Sequence, residues 1–433
     1  MTSSTSSAAE WRAHWPVVLA AMMGMSFSSL APASLGLFIE PLSTEFGWKR
    51  AQISLGLTIY ALFAVPFSPL AGALIDRRGS RGIAIPGLML ASCAFACFSL
   101  ATESIGRWIG LWVFYATVAM AIKSTVWTAA VSGRFSAGRG LALAVVFCGT
   151  AISQTASPLL ARWLIDDYGW RQAYLWLGLV WGGVTLLLVV LFLRDVPRAV
   201  PRSSASSMAA SSPVSAGLTF KQALRCSPLR KIAAATVLIS TLVGALIVHQ
   251  VPILTERGLT REHAAWAAAA AGFASLFGKL CTGYLFDRSR SGWIGLVSLA
   301  LPALGCSLLL LPNVSIALAV TAIAILGYTA GAYLQLCTYL TTRYGGLRHF
   351  GKIFGVMASL LAFGTGAGPV VGGLVFDTFG SYRLLLILGI PACLLAGALV
   401  WRLGPYPEFK EPSEEASANR EYVSEAIPIS SKP

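Results

Sequence analysis

The sequence predicts an all-α membrane protein with twelve transmembrane helices, arranged as two parallel repeats of six helices each. Three observations lead to this prediction: an apolar composition, recurring apolar runs of about 20 residues, and an internal repeat. The 433 residues are 56% hydrophobic and only 12% charged, and the mean hydropathy is +0.71. The chain has too few polar residues to cover the surface of a soluble protein of this size. We therefore expect it to lie in a lipid bilayer.

The apolar runs begin after Trp15 and end near Leu403. Each is long enough to cross a hydrocarbon core about 30 Å thick. The first run lacks a short apolar core followed by a small-residue cleavage site, which favours a retained helix over a removed signal peptide.

A shift of 211 positions superposes one half of the chain on the other. The superposed residues are turn formers and charged residues at the ends of apolar runs: Pro41 on Pro252, Glu45 on Glu256, Arg50 on Arg261, Pro158 on Pro369 and Asp166 on Asp377. Because six helices separate the copies, both copies have the same orientation, and we expect an axis along the membrane normal to relate them.

The repeat and the composition predict the division of the chain. A segment with three prolines and many serines and alanines separates the halves, and it contains too few large apolar residues to pack. The predicted parts are an N-terminal tail (1–14), a six-helix half (15–195), a linker (196–227), a second six-helix half (228–404) and a C-terminal tail (405–433).

The distribution of charged residues predicts how the chain is oriented in the membrane. A net charge of +14 could suggest nucleic acid, but lysine and arginine are concentrated in alternate short loops between the spans. This asymmetry favours an inner-membrane (plasma-membrane) protein with both termini and the linker in the cytoplasm. The expected partners are therefore the lipid bilayer and a small-molecule solute, with no nucleic acid, and the protein is expected to work as a monomer.

The eight cysteines indicate neither disulfides nor a metal site. They fall almost entirely inside apolar runs, and no Cys/His cluster has metal-ligand spacing. No nucleophile or phosphate-binding motif is present either. We therefore expect no cofactor, no metal and no enzymatic activity.

The loop after the second predicted span contains a Gly-x-x-x-Asp-Arg motif, and the repeat supplies a second copy. The motif residues are Gly72, Asp76 and Arg77 in the first copy and Gly283, Asp287 and Arg288 in the second. This loop resembles the signature loop of the major facilitator superfamily. A Gly/Pro-rich stretch around Gly368 and Pro369 is similar to that superfamily's eleventh helix, where small residues let helices approach and bend.

Four shorter stretches resemble the monocarboxylate-porter branch of that superfamily and its bacterial relatives. They begin at Glu45, Arg139, Tyr168 and Phe376. The resemblance implies small organic anions as substrates, carried with protons or exchanged for another anion.

The chain departs from the monocarboxylate-porter pattern at two places. A first-span lysine of that branch is replaced by Ala33, and an Asp-x-x-x-Arg pair of the eighth span by Ser275 and Lys279. A basic residue thus remains without its acidic partner, which weakens the expectation of proton coupling. The eleventh span also lacks the interior lysine expected of oxalate/formate exchangers.

Two lysines inside predicted spans are the first candidates for substrate binding. Ionisable groups at mid-membrane are costly, so each is a functional hypothesis. Lys279 lies eight residues before Asp287, about 12 Å along a helix, on a stripe of small and polar residues. Lys123 lies eleven residues before Arg134. For both, the alternative is a side chain that snorkels to the interface.

Polar stripes at helical spacing supply further candidates. The candidate substrate contacts are Tyr328, Gln335, Tyr339, Gln154, Ser29 and Ser275. Hydroxyls and amides in membrane helices also serve packing alone, so this alternative stays open. His249, near the outer end of the seventh span, is a candidate for gating or titration.

These observations favour secondary transport of a small organic anion, a monocarboxylate, by alternating access. A cavity with fixed positive charge and no carboxylate favours anions and repels cations. The alternatives are a multidrug or other small-molecule efflux transporter of the same superfamily and, ranked lower, a membrane sensor that keeps the fold without transporting.

Overall fold

The computed structural model describes residues 7–135, 138–194, 217–288, 293–346 and 348–407. Within these ranges the side chains of residues 7, 64–73, 75, 76, 286, 287, 350 and 351 are not described. Most of the predicted linker and both tails therefore lie outside the described residues. So do the side chains of Asp76 and Asp287 and the surroundings of Gly72.

The first half of the described chain is helical. Its α-helices are α1 (Ser7–Ser28), α2 (Leu30–Phe46), α3 (Arg50–Ala96), α4 (Ile105–Ala119), α5 (Ser124–Ser132), α6 (Arg139–Tyr168), α7 (Trp170–Trp176) and α8 (Gly182–Phe192). A short 3₁₀ turn follows α3, another lies between α4 and α5, and a π-helical turn joins α7 to α8.

The second half repeats this pattern with fewer interruptions. Its α-helices are α9 (Phe220–Arg225), α10 (Ser227–Glu256), α11 (Arg261–Arg288), α12 (Trp293–Leu310), α13 (Ile316–Gly345), α14 (Phe350–Phe379) and α15 (Arg383–Trp401). The short helix α9 begins with a capping box, in which the Thr219 hydroxyl accepts the Gln222 amide and the Gln222 side chain accepts the Thr219 amide.

The described residues contain eleven segments long and apolar enough to cross a membrane, which makes the chain a multi-pass membrane protein. The first, Ala8–Phe46, has 39 residues and includes both α1 and α2. The first part of α3 is not among the eleven, and many of its side chains are not described. The count of twelve therefore stays a prediction.

The signature loop after the second predicted span is a kink rather than a loop. Helix α3 continues through it, and only Gly79 leaves the helical region, with φ 79° and ψ 163°. Glycine adopts a positive φ without the steric cost of a side chain, so it lets the chain reverse direction in a single residue.

The buried apolar residues form two clusters, which follow the two halves closely. The first contains an aromatic group in which Phe98 contacts Trp108, Trp112, Tyr115 and Tyr174, with ring centroids 4.8–5.6 Å apart. The second cluster is mainly aliphatic. Each half therefore has its own core, while the exact bounds of the predicted parts remain a prediction.

The halves meet along three helix pairs: α3 with α14, α6 with α11, and α2 with α10. Glycines permit the close approach. A Cβ added to Gly272 would overlap the backbone of Gln154 and Thr155, and one added to Gly373 would overlap the backbone of Ala51. Such small-residue contacts are how membrane helices gain packing energy without a hydrophobic effect between them.

We call the end of the bundle that carries Phe46–Arg50, Glu256–Arg261 and Phe379–Arg383 the distal end. The opposite end, which carries the Gly79 kink and the first residues of α10, is the proximal end.

Candidate functional site

Lys279 lies on α11 where this helix packs against α6 of the other half. It is 18 residues from the distal start of α11, which is about 27 Å along the helix axis. Its Nζ donates a hydrogen bond to the Thr150 hydroxyl of α6. The ammonium therefore sits on the boundary between the halves and not at a helix end.

Two of the other predicted contacts lie one turn away on the same boundary. The Ser275 hydroxyl donates to Gln154 Oε1 at 2.9 Å. Ser275 is buried, and its hydroxyl also lies 2.8 Å from the Gly272 carbonyl. Lys279, Ser275, Gln154 and Thr150 thus form one polar group in which each half contributes two side chains.

Lys123 occupies a break in the fourth predicted span. Helix α4 ends at Ala119, Met120–Ile122 form a 3₁₀ turn, and Lys123 is extended, with φ −64° and ψ 164°, before α5 begins. The Nζ lies 3.9 Å from the centroid of the Tyr60 ring, a cation–π contact. The sequence suggested that Lys123 lies within a continuous helix. In the structure it lies in a break between two helices instead.

Neither lysine has a carboxylate partner among the described side chains, since no such oxygen lies within 4 Å of either Nζ. The described salt bridges all join groups near the distal end. Also within the described ranges, no group of three or more His, Cys, Asp or Glu side chains could hold a metal ion.

The remaining predicted contacts do not join the group around Lys279. Tyr328 Oη lies 3.5 Å from Thr282 Oγ1. The Ser29 hydroxyl bonds back to the Met25 carbonyl at the α1–α2 junction. Tyr339 accepts a hydrogen bond from Arg343 at 3.2 Å near the proximal end, and Gln335 is exposed.

The described motif residues have different surroundings. A Cβ added to Gly368 would overlap the backbone of Thr241, whereas one added to Gly283 would meet no atom within 4 Å. Arg288 stacks on Tyr284 at 4.9 Å, and Arg77 makes polar or ring contacts of its own. The motif around Gly283 therefore does not require a glycine for close packing in this conformation.

His249 is fully buried and joins three helices near the distal end. Its Nε2 lies 2.8 Å from the Pro369 carbonyl, which can only accept, so Nε2 carries the proton. Its Nδ1 lies 2.7 Å from Tyr382 Oη and accepts from that hydroxyl. Burial raises the pKa of the Tyr382 hydroxyl, which keeps its proton for this bond. The sequence suggested an interfacial histidine, whereas both of its nitrogens are bonded inside the protein.

Arg50 extends this chain of bonds to the other half. Its Nη1 donates to Tyr382 Oη at 2.8 Å, and its guanidinium lies 3.5 Å above the centroid of the Phe376 ring. Both carboxylate oxygens of Asp377 accept backbone amides at the start of α3, from Arg50 and Ala51, at 2.9 Å each. A carboxylate at a helix N-terminus satisfies free amides and complements the helix dipole.

The repeat places related contacts on the other side of the distal end. Glu45 accepts the Trp170 indole at 2.6 Å and pairs with Arg171 at 2.7 Å. Its counterpart Glu256 accepts from Ser381 and from the Tyr382 amide, at 2.5 and 3.0 Å. The shift of 211 residues relates Trp170 to Ser381 and Arg171 to Tyr382. The residues that donate to Glu45 and to Glu256 therefore occupy equivalent positions in the two halves but are of different types.

A second link between the halves mirrors that of Asp377. Arg261 pairs with Glu40 at 2.8 Å and lies 4.0 Å from Asp166, the counterpart of Asp377. Arg162 adds a contact of 3.7 Å to Glu262. Hydrogen bonds and ion pairs on both sides of the pseudo-twofold axis therefore hold the distal ends of the halves together, and we call them the distal gate.

Comparison with known proteins agrees with this architecture. A family model described as "Major Facilitator Superfamily" matches residues 17–260 and 232–431. The chain belongs to the major facilitator superfamily. Monocarboxylate transporter 13 of Rattus norvegicus is 27% identical over 387 residues, covering 89% of this chain and 87% of the relative. Monocarboxylate transporter 11 of Homo sapiens is 28% identical over 405 residues, covering 89% and 82%.

A solved structure supports the same fold. A bacterial homologue of the human lysosomal transporter Spinster, in an inward-facing and unoccupied conformation, superposes with a TM-score of 0.67 at 18% identity. The match covers 90% of this chain and 98% of that one. The family match, which spans nearly the whole chain, makes the protein a superfamily transporter that acts on small-molecule substrates within a lipid bilayer.

Sequence reasoning missed several residues of this transporter. It did not place Tyr60 beside Lys123, it named Arg50 and Asp377 without giving either a role in a site, and it included Tyr382 only within the family stretch that begins at Phe376. The internal repeat carried a usable signal, because it aligned Asp377 with Asp166 and Arg50 with Arg261. Which half each side chain contacts could not be read from that alignment.

Proposed function

We propose that the transporter carries a small organic anion, a monocarboxylate, by alternating access. The observation that carries this proposal is Lys279, a cation deep in a membrane helix at the boundary of the halves. Among the described side chains it has no carboxylate partner. A charge-assisted hydrogen bond from an ammonium to a carboxylate is about twice as strong as one between neutral groups.

Several neighbouring side chains fit the polar end of such a substrate. Thr150, Gln154 and Ser275 supply hydroxyl and amide groups within one turn of Lys279. Because Lys279 and Ser275 belong to one half and Gln154 and Thr150 to the other, a ligand bound among them contacts both halves. Such a ligand can favour one arrangement of the halves over another, which alternating access requires.

The names of the relatives point in the same direction. Two relatives that span most of this chain are called monocarboxylate transporters. We transfer the substrate class to this chain as part of the proposal. We also propose that it resides in the inner membrane as a monomer, with both termini in the cytoplasm, because alternate loops are rich in lysine and arginine.

Uptake into proteoliposomes tests the proposal. The purified transporter is reconstituted with unlabelled carboxylates inside, and uptake of a panel of radiolabelled monocarboxylates is measured with and without a pH gradient. We expect saturable uptake of at least one carboxylate, and a loss of at least tenfold in Lys279→Gln. Lys352→Gln, which removes an exposed lysine away from Lys279, serves as the matched control. Absence of carboxylate uptake across the panel contradicts the proposal.

A further inference from the structure

The chain that follows the last helix is anchored at the proximal end of α13. The Tyr344 hydroxyl donates to the Gly404 carbonyl at 2.6 Å. The Tyr406 ring lies 5.3 Å from the Tyr344 ring and 5.5 Å from the Arg343 guanidinium, measured between centroids and from Cζ. The residues that follow the described range, 408–433, therefore start from a fixed point beside Arg343.

The short helix α9 is tied to the same end of α13. Gly217 pairs with Gly346 in an antiparallel bridge, and the Leu218 amide donates to the Gly345 carbonyl at 2.9 Å. The chain then enters α9, which is followed directly by α10. The start of α9 and the chain after α15 thus meet at the residues that end α13.

Exposed basic side chains are concentrated on the elements that meet there. We call them the basic rim: Lys221, Arg225, Arg230, Arg343 and Arg348. No carboxylate oxygen lies within 4 Å of any of them among the described side chains. The described carboxylates of the second half all lie at the distal end, at Glu256, Glu262 and Asp377. The positive charge of the rim is therefore not compensated within the described part of this half.

Residues 408–433, which we call the acidic tail, have the opposite charge. The acidic tail contains six glutamates against two lysines and one arginine, a net charge of −3, whereas the whole chain carries +14. The glutamates are Glu408, Glu411, Glu414, Glu415, Glu421 and Glu425. An extended chain advances about 3.4 Å per residue, so the first four lie within about 30 Å of Tyr406.

We propose that the acidic tail docks on the basic rim and shields it from other anions. Single ion pairs at a surface are weak, but a short tether gives the carboxylates an effective concentration on the order of millimolar at the rim. Arg343 also donates to Tyr339, a candidate substrate contact, at 3.2 Å. A positive field raises the local concentration of anions, so a docked tail lowers it beside Tyr339. The shielding of substrate rests on the proposed function, whereas the docking does not.

Docking is tested by the distance between two spin labels in the full-length transporter. One label is placed at Leu224→Cys, exposed on α9, and the other at Tyr422→Cys in the acidic tail, in a background without the eight native cysteines. In nanodiscs of neutral phosphatidylcholine we expect a short, narrow component at 0.1 M salt that is lost at 1 M, where the Debye length falls from about 10 Å to about 3 Å. A distribution that salt does not change overturns the proposal.

Charge variants of the acidic tail separate docking from simple tethering. Replacing its six glutamates by glutamine should abolish the short component. The matched control replaces Lys410, Arg420 and Lys432 by glutamine, which leaves the carboxylates in place, and it should keep that component. The same result in both variants overturns the proposal.

Anionic lipid headgroups are the other candidate occupant of the basic rim. The label distances are therefore also measured in nanodiscs of phosphatidylglycerol, where we expect the short component to persist. Its loss there assigns the rim to lipid headgroups and overturns docking of the tail.

The shielding is tested by calorimetry with the carboxylate that gives the highest uptake. A transporter that ends at Pro407 keeps the Tyr406 anchor and lacks the acidic tail. We expect it to bind the carboxylate roughly threefold more tightly than the full chain at low salt and equally well at 1 M salt. Equal affinities at low salt overturn the shielding. Absence of binding to both proteins overturns the proposed function instead, and the label distances still decide whether the tail docks.

Discussion

At the scale of single residues, His249 is satisfied only while it is neutral. Its Nδ1 accepts from Tyr382, and Tyr382 in turn accepts from Arg50. A proton on Nδ1 would displace the Tyr382 hydroxyl hydrogen and place a second cation close to Arg50, with the carboxylates of Asp377 and Glu256 already engaged by other donors. Protonation therefore disfavours the closed distal gate.

We predict that His249→Ala shifts the transporter towards a conformation with the distal gate open. The substitution removes both hydrogen bonds of the imidazole, and only the one to Tyr382 supports the contact of Tyr382 with Arg50 of the other half. One hydrogen bond between neutral groups is worth about 1 kcal/mol, which is about a fivefold change in the ratio of conformations. The measurement is the distance distribution between spin labels at Glu103→Cys and Phe379→Cys, in a background without the eight native cysteines. Both positions are exposed near the distal end, one in each half.

The control is His263→Ala, a histidine outside the His249–Tyr382–Arg50 chain. It should leave the distance distribution unchanged. Lowering the pH should act on the wild type in the same direction as His249→Ala and should have a smaller effect on that variant. If the distance distribution of His249→Ala matches that of the wild type at every pH, His249 does not stabilise the closed distal gate.

At the scale of helices, the start of α3 depends on a carboxylate from the other half. Asp377 holds two backbone amides of α3, and a negative charge at this position also complements the helix dipole. We predict that Asp377→Asn weakens the distal gate by about 1 to 2 kcal/mol, because an amide can accept these hydrogens only at one oxygen and carries no charge.

The same pair of spin labels reports the effect of Asp377→Asn. The population with a long distance should grow, whereas Asp167→Asn, which changes an exposed aspartate that takes part in none of the gate contacts described above, should leave it as in the wild type. Equal distance distributions in the wild type and both variants would show that the contact of Asp377 with the start of α3 does not stabilise the closed distal gate.

The helices themselves could be predicted well from the sequence, and their breaks could not. Apolar runs and the repeat located the spans, because crossing a bilayer demands long apolar helices. The break at Met120–Lys123 contains neither glycine nor proline, so no helix-breaking residue in the local sequence predicts it. In the same way, the sequence named Lys279 and Ser275 on one helix and Gln154 on another. Only packing showed that they meet and that Gln335 and Tyr339 lie elsewhere.

At the scale of the whole molecule, the two ends of the helix bundle determine which loops face the same side of the membrane. Gly79 reverses the chain at the proximal end, while the Glu103 carbonyl accepts the Trp48 indole at the distal end. Reporter fusions after Gly79 and after Glu103 should therefore report opposite sides of the membrane, with the Gly79 fusion cytoplasmic as the positive-inside rule requires. Fusions that report the same side would contradict the predicted order of spans.

Whether Lys279 recognises the anion is tested most directly by calorimetry, as equilibrium binding to the purified transporter. Each carboxylate of the uptake panel is compared with its primary amide, which has nearly the same shape but no charge. We predict that the wild type prefers the carboxylate by at least tenfold, that Lys279→Gln abolishes the preference, and that Lys279→Arg retains part of it because arginine keeps the charge with a different geometry. If Lys279→Gln binds the same carboxylate with wild-type affinity, Lys279 does not recognise the anion, which contradicts its proposed role.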